Sequence, residues 1–270
     1  MIQRIVFFGV LLSSVLFTAP IQDHRLNADA LSSLAAALDI PSDENLVAAT
    51  QGRWLRRPGQ ERWEMAEISQ EKREFVLRWA EEQGLFSPWM PSEPFYDQAL
   101  ILGATTFRME SRLAFLVDLW KKGTRFDKIV WLVGERPLDP RVEGLTQRAQ
   151  TEAEAARILW EEAELPEEMR QLPVLFVASP MKEGGKRPNT ADTVELYLEV
   201  SPKPCSALFI SDQPFCGYQF AVIKSLLPDA YLFDVAGAGV QSTNHPAAGA
   251  ILLDSIARWL YQENSDASFK

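Results

Sequence analysis

Basic residues, histidines and cysteines are all scarce in this 270-residue chain, and each scarcity removes a class of function. With 27 Lys and Arg against 37 Asp and Glu, the formal charge is −10, and no basic cluster interrupts the acidic balance. Most of such a surface repels a polyanion, so nucleic acid is not an expected partner. Two cysteines, Cys205 and Cys216, are too few for a disulfide scaffold, and an expected strand separates them beyond bridging distance. Only His24 and His245 offer imidazoles, which excludes a His-rich zinc site while leaving carboxylates free to hold a hard cation. The G-x-G-x-x-G fingerprint of a dinucleotide site is missing, and no particular cofactor is indicated. There is no internal repeat and no low-complexity tract.

What is present is ordinary globular composition, 47% apolar and 24% charged, enough for one large core. Arg4 followed by the apolar run from Ile5 to Phe17 has the length of a signal-peptide hydrophobic region, so residues 1–20 read as a signal peptide or an uncleaved anchor. The small-x-small rule for cleavage is met at Ala19 but not at Phe17, and Pro20 would follow the cut. A buried N-terminal helix is the alternative. The expected location is extracytoplasmic, either periplasmic or anchored in the inner membrane and facing the periplasm.

Residues 21–95 are helical in pattern. Leu31, Leu34, Ala35 and Leu38 share one face, and Met65, Ile68, Phe75, Val76 and Trp79 make a second stripe. Trp54, Trp63, Trp79 and Trp89 suggest a helical layer that packs on the C-terminal domain, and Pro88, Pro91 and Pro94 mark the boundary.

Residues 96–265 then carry five continuous apolar runs: Ala99 to Leu102, Lys128 to Val133, Val174 to Ala178, Ala207 to Ile210 and Tyr231 to Val235. Continuous runs are the mark of strands buried on both faces. Helical patterns alternate with them. Gly123 stops the first, Thr151 and Glu154 have capping-box spacing at the second, Asn189 and Thr190 open the third, and Pro246 opens the last. The expectation is an α/β, doubly wound, Rossmann-like parallel sheet of five strands with an N-terminal helical layer.

Such sheets bind ligands beyond the carboxyl ends of their strands, where helix N-termini supply free N–H groups. That rule selects the loops starting at Gly103, Gly134, Ser179, Ser211 and Ala236. Gly103 permits close backbone approach and Thr105 suits a cap or a phosphate donor. Arg108 and Arg112, four residues apart, point the same way and either grip a phosphate or carboxylate or pair with acids such as Glu110. Glu154 is explained by capping Thr151, which leaves Glu152 as the freer carboxylate. The run from Lys182 to Arg187, ahead of Asn189 and Thr190, is the most basic stretch and either meets an anion or is a solvated loop. His245 either supplies an imidazole at the same edge or caps the helix at Pro246. Cys216 reads as a buried thiol on an apolar stripe with Phe220 and Ile223 rather than a nucleophile.

Taken in order, Leu102-Gly103, Arg112 with Ala114, a strand ending in Gly134, Thr151-Glu152-Ala153, Asn189-Thr190-x-Asp192 and Leu208-Phe209-Ile210-Ser211 resemble the bacterial envelope family that includes SanA, YdcF and ElyC proteins. The resemblance covers roughly residues 96–262. It implies a Rossmann-like domain behind an N-terminal membrane segment, linked to envelope integrity and peptidoglycan or lipid-carrier metabolism. The chain departs from the family after the fourth strand, where Phe215 and Tyr218 stand at the His and Arg positions, and Asp192-Thr193 replaces Glu-Asn.

The leading expectation is therefore a protein that binds an anionic, phosphorylated small molecule or lipid-linked head group. Gly103, Thr105, Arg112, Gly134, Asn189, Thr190 and Asp192 would form the site, Ser211 and Asp212 would line it, and Glu152 and His245 are the candidate acid–base groups. Arg112, Glu152 and Thr190 are expected around one shared hollow. The alternatives are a catalytically degenerate module that binds an envelope protein partner and, by fold analogy alone, a nucleotide- or S-adenosylmethionine-binding transferase.

Overall fold

A computed structural model describes residues 24–267, so the expected signal segment at residues 1–20 lies outside the described residues. Five parallel strands, β1 (Phe95–Leu102), β2 (Arg125–Gly134), β3 (Val174–Ser179), β4 (Ser206–Asp212) and β5 (Leu232–Ala238), form one sheet in the order β3-β2-β1-β4-β5. All four ladders are parallel. The chain winds outward from β1 through β2 to β3, then starts again at β4 on the other side of β1. The order therefore reverses between β1 and β4, and their carboxyl ends flank the crevice where a doubly wound sheet receives its ligand. This is the Rossmann-like α/β architecture expected from the five apolar runs.

β1, β2, β4 and β5 bury both faces over most of their length, as their continuous apolar sequence requires, while the edge strand β3 is largely half-buried. Ile101 and Trp131 turn toward α4 (Thr106–Lys121) and α5 (Glu152–Glu162), where Met109, Leu113, Leu116 and Ala156 complete one core. Leu100, Leu102 and Val130 face the opposite layer, with Val194 and Tyr197 of α7 (Thr190–Val200) and Phe220 and Ile223 of α8 (Cys216–Leu226). Between α5 and β3 lies the single turn α6 (Glu167–Arg170).

Local signals place the helix ends. Thr151 accepts a hydrogen bond from Glu154 N–H while Glu154 reaches back to Thr151 N–H, completing the box that the spacing suggested. Asn189 and Asp192 form a second box at α7. Gly123, at φ +108°, takes a conformation that L side chains rarely adopt and ends α4 at the stop expected from sequence. The last helix, α9 (Ala248–Ala267), starts two residues beyond Pro246, because His245 Nδ1 first accepts from Ala247 N–H at 3.1 Å.

The helical layer comprises α1 (Ala28–Ala37), α2 (Leu46–Arg53), a 3-10 turn at Arg62–Glu64 and α3 (Gln70–Glu82). It rests on helices and leaves the sheet to the other layers. Leu31, Leu34, Trp54, Val76 and Trp79 share a core with Leu252, Leu253, Ile256 and Trp259 of α9 and Ala221 of α8. Trp79 Nε1 donates to Ala30 O at 2.9 Å, tying α3 to α1. The connection into β1 is pinned by Asp234, which is fully buried on β5 and accepts from Ser92 N–H at 2.7 Å, Ser92 Oγ at 2.6 Å and Tyr96 OH at 2.9 Å. Among the described residues no helix is long and apolar enough to cross a membrane.

Candidate functional site

The carboxyl rim of the sheet brings together most of the residues selected from sequence, and their side chains are already partnered with one another. On the β1–β2 side, Gly103 N–H donates to Leu132 O at 2.6 Å, drawing the end of β1 against β2. A Cβ at Gly103 would overlap Glu152 Oε1, so glycine is required here by the carboxylate itself. Glu152, at the first position of α5, accepts from Gly134 N–H at 3.0 Å and from Arg136 Nε at 2.5 Å. Arg136 also donates to both oxygens of Glu143, at 2.6 and 3.0 Å, and to Ala104 O at 2.8 Å.

Glu143 is the unexpected member. Its carboxylate accepts from Thr106 N–H at 3.1 Å, which is a free N–H of the first turn of α4. That is the position at which a helix N-terminus would receive a bound anion. Gly144 N–H donates to Thr106 Oγ1 at 3.1 Å, so the loop after β2 closes over the helix end. Thr105 is the N-cap but makes no side-chain cap bond, in keeping with Glu143 taking that role. Arg136, Glu143 and Glu152 are all nearly inaccessible. Burial pushes the Glu152 carboxyl up. Burial also acts to raise Glu143, but hydrogen bonds and charge from Arg136 outweigh it and hold Glu143 below the usual carboxylate range.

On the β1–β4 side, Arg112 is only 2% exposed. It donates to Leu102 O at 2.6 Å, Gly103 O at 2.9 Å and Asp212 Oδ1 at 2.7 Å. Arg108, one turn earlier, pairs with the other oxygen of Asp212. Two guanidinium groups thus share one carboxylate, and the acid they pair with is Asp212 rather than Glu110. Ser211 is fully buried and hydrogen-bonds Gln219 of α8. Phe215 lies beneath Arg108, whose Cζ is 4.6 Å from the ring centroid, and beneath Arg62 of the helical layer at 4.3 Å.

The expected hollow among Arg112, Glu152 and Thr190 is corrected by this geometry. Arg112 and Glu152 both reach Gly103, but as packed, paired groups. Thr190 belongs to the first turn of α7, where Asn189 Oδ1 accepts from Ala191 N–H at 2.8 Å and Asp192 pairs with Lys182 at 2.7 Å. Gly134 adjoins that loop, since a Cβ there would meet Pro188 at 2.6 Å. A cavity of about 410 Å³ is lined by Phe107, Glu110, Phe115 and Ala238, and another of about 220 Å³ by Trp79, Trp89 and Trp259. Neither includes Arg112, Glu152 or Thr190.

His245 is exposed and serves as a cap, the second of the two roles open to it. Cys216 is fully buried, and burial pushes its thiol up to about 12, so it carries no thiolate at neutral pH. Cys205 and Cys216 are both free thiols.

Sequence reasoning missed Arg136, Glu143, Arg62 and Asp254. Arg136 lay inside a selected loop, and its pairing with two distant acids had no local signature. Asp254 is fully buried in the middle of α9, where it meets Arg258 at 3.0 Å and Arg62 at 3.5 Å. An acid on the apolar face of that helix was the available signal.

The fold and rim define a doubly wound, Rossmann-like α/β protein whose sheet ends carry a charge-paired rim. Compared with known proteins, the chain matches no family model, no curated protein and no solved structure.

Proposed function

We propose that this chain is an extracytoplasmic protein of the SanA/YdcF/ElyC type that binds an anionic, phosphorylated small molecule or lipid head group at the carboxyl rim of its sheet. The observation that carries this reading is the local reversal of charge balance. The chain as a whole has a net charge of −10. Along the carboxyl rim and the turn that crosses it, however, three carboxylates are each shared by two guanidinium groups: Asp212 by Arg108 and Arg112, Asp254 by Arg62 and Arg258, and Glu61 by Arg56 and Arg187. A cation-rich spot on an acidic surface attracts an anion locally while the remaining surface repels large polyanions.

Binding, rather than acid–base catalysis by Glu152 or His245, is the activity this arrangement favours. Glu152 is consumed by Arg136 and His245 by a helix end. A thermal-shift panel of nucleotides, sugar phosphates and polyprenyl phosphates, run against sodium chloride of equal ionic strength, tests the reading. A member of the panel should raise the unfolding midpoint with its concentration. A flat response across all three classes rejects it.

The second reading is a catalytically degenerate module that binds an envelope protein. Phe215 and Tyr218 at the family's His and Arg positions favour it, as does the occupation of the α4 N-terminus by Glu143. A flat ligand panel together with recovery of one envelope protein at stoichiometric yield would select this reading over the first.

A further inference from the structure

We propose that Arg62 of the helical layer and Arg108 of the sheet domain, both stacked on Phe215, act as one clamp for a multiply charged phosphate group. This inference rests on the anion-binding reading above and assigns its residues.

The clamp is built where two layers meet. The 3-10 turn at Arg62–Glu64 lies across the carboxyl rim and is fixed there from several sides. Glu61 pairs with Arg187 of the loop after β3 at 2.6 Å, Glu64 with Arg141 of the loop after β2 at 3.1 Å, and Arg62 faces Asp254 of α9 at 3.5 Å. The turn therefore spans the edge where a doubly wound sheet receives ligands, and it carries Arg62 onto Phe215.

Both guanidinium groups keep capacity for an anion. Their side chains are 31% and 35% exposed, unlike the sealed Arg112 and Arg136. Arg62 Nε is buried and faces Asp254 at 3.5 Å without a hydrogen bond, so the exposed part of the side chain is the rest of its fork. The carboxylate beside it, Asp254, is already held by Arg258 through bonds of 3.0 Å from Nε and from Nη2. Arg108 likewise shares Asp212 with Arg112. Burial pulls the Arg62 guanidinium down to about 10, with repulsion from Arg56, Arg258 and Arg108 adding to it and Asp254 opposing it, so it remains charged at neutral pH. The Phe215 ring supports the planar groups by cation–π contact, which fixes their forks without using their N–H donors. Two under-compensated forks call for an anion with more than one negative charge.

Calorimetric titration of the full chain with sodium pyrophosphate at constant ionic strength tests the assignment, comparing the parent with Arg62→Gln, Arg108→Gln and Lys122→Gln. Lys122 ends α4 at the opposite edge of the sheet and pairs with exposed Asp118, so it controls for net charge. The expected result is binding by the parent and by Lys122→Gln, and dissociation constants raised about tenfold in each arginine variant, the loss of one charge-assisted hydrogen bond. Circular dichroism checks folding, and Arg62→Lys stands in if Arg62→Gln does not fold, because it keeps the charge but loses the planar fork. Vesicles of phosphatidylglycerol and phosphatidylcholine, against phosphatidylcholine alone, separate the two sources: arginine-dependent binding only to the anionic vesicles supports the clamp with a lipid head group as its ligand. Parent-like binding in either arginine variant overturns the two-layer clamp and leaves the anion-binding reading standing. No response of the parent to pyrophosphate, orthophosphate or anionic vesicles overturns the clamp, and the anion-binding reading falls with it when the nucleotide, sugar phosphate and polyprenyl phosphate panel is also flat.

Discussion

The two halves of the rim use the same residue types in opposite proportions. Beside β2, one guanidinium, Arg136, serves two carboxylates, Glu143 and Glu152, and all three are sealed from solvent. Beside β4, single carboxylates serve two guanidinium groups each, and Arg62 and Arg108 keep a third of their surface in water. The first half is internal cement, since a buried cation with two acids has no capacity left for a ligand. The second half is under-compensated and accessible, which is the condition for recognising an anion. Position at the ends of parallel strands is common to both, so charge ratio and exposure separate the sealed half from the half proposed to recognise an anion.

The largest effect that could break this comparison is removal of the cation from the cement. Arg136→Met leaves Glu143 and Glu152 buried without that counter-charge and should cost about 3–5 kcal/mol in urea unfolding. A loss below about 1 kcal/mol, the value of an exposed pair, would place that half in solvent as well. Gly103→Ala comes next. The added Cβ would overlap Glu152 Oε1 and meet Leu132 O at 2.8 Å, and a backbone neighbour cannot swing aside. A destabilisation of about 1–3 kcal/mol is expected, the usual range for an overpacked site.

The acid limb of the stability curve sharpens the comparison. Burial acts to raise Glu143, but Arg136 wins and its folded value lies below the ordinary one, so the ionised form is favoured by folding. Its contribution is complete above the unfolded value of about 4.3 and is lost as pH falls through the lower folded value. Glu143→Gln should therefore flatten the decline of stability below about pH 4.3, measured by urea midpoints at successive pH values. An unchanged acid limb would mean that Glu143 contributes nothing to it. The smallest stability effect belongs to Arg108→Gln, because Asp212 keeps Arg112: a change within about 1 kcal/mol is expected, as for other partly exposed pairs.

What the sequence made legible was local. The five strands announced themselves as continuous apolar runs, and Thr151 with Glu154, Asn189 with Asp192, and Gly123 carried their cap signals within three or four residues. The same locality made His245 readable as a cap. The rim's chemistry was not local. Glu143 finds Thr106 only after β2 has crossed back beside β1, and Arg62 finds Phe215 only once α1 to α3 have docked on α9. Arg112 and Glu152 both reach Gly103, but not the hollow shared with Thr190 that was expected, and their partners decide what they do there. Pattern placed the residues at the rim, and only the packing showed which of them were left with charge to spare.

The central claim, that one half of the rim is closed and the other receptive, is tested most directly by following the arginine side-chain Nε–H resonances in nuclear magnetic resonance during titration with pyrophosphate. The Arg62 and Arg108 signals are expected to move with the ligand while Arg136 keeps its position. Movement of Arg136 with Arg62 and Arg108 unmoved would contradict the claim.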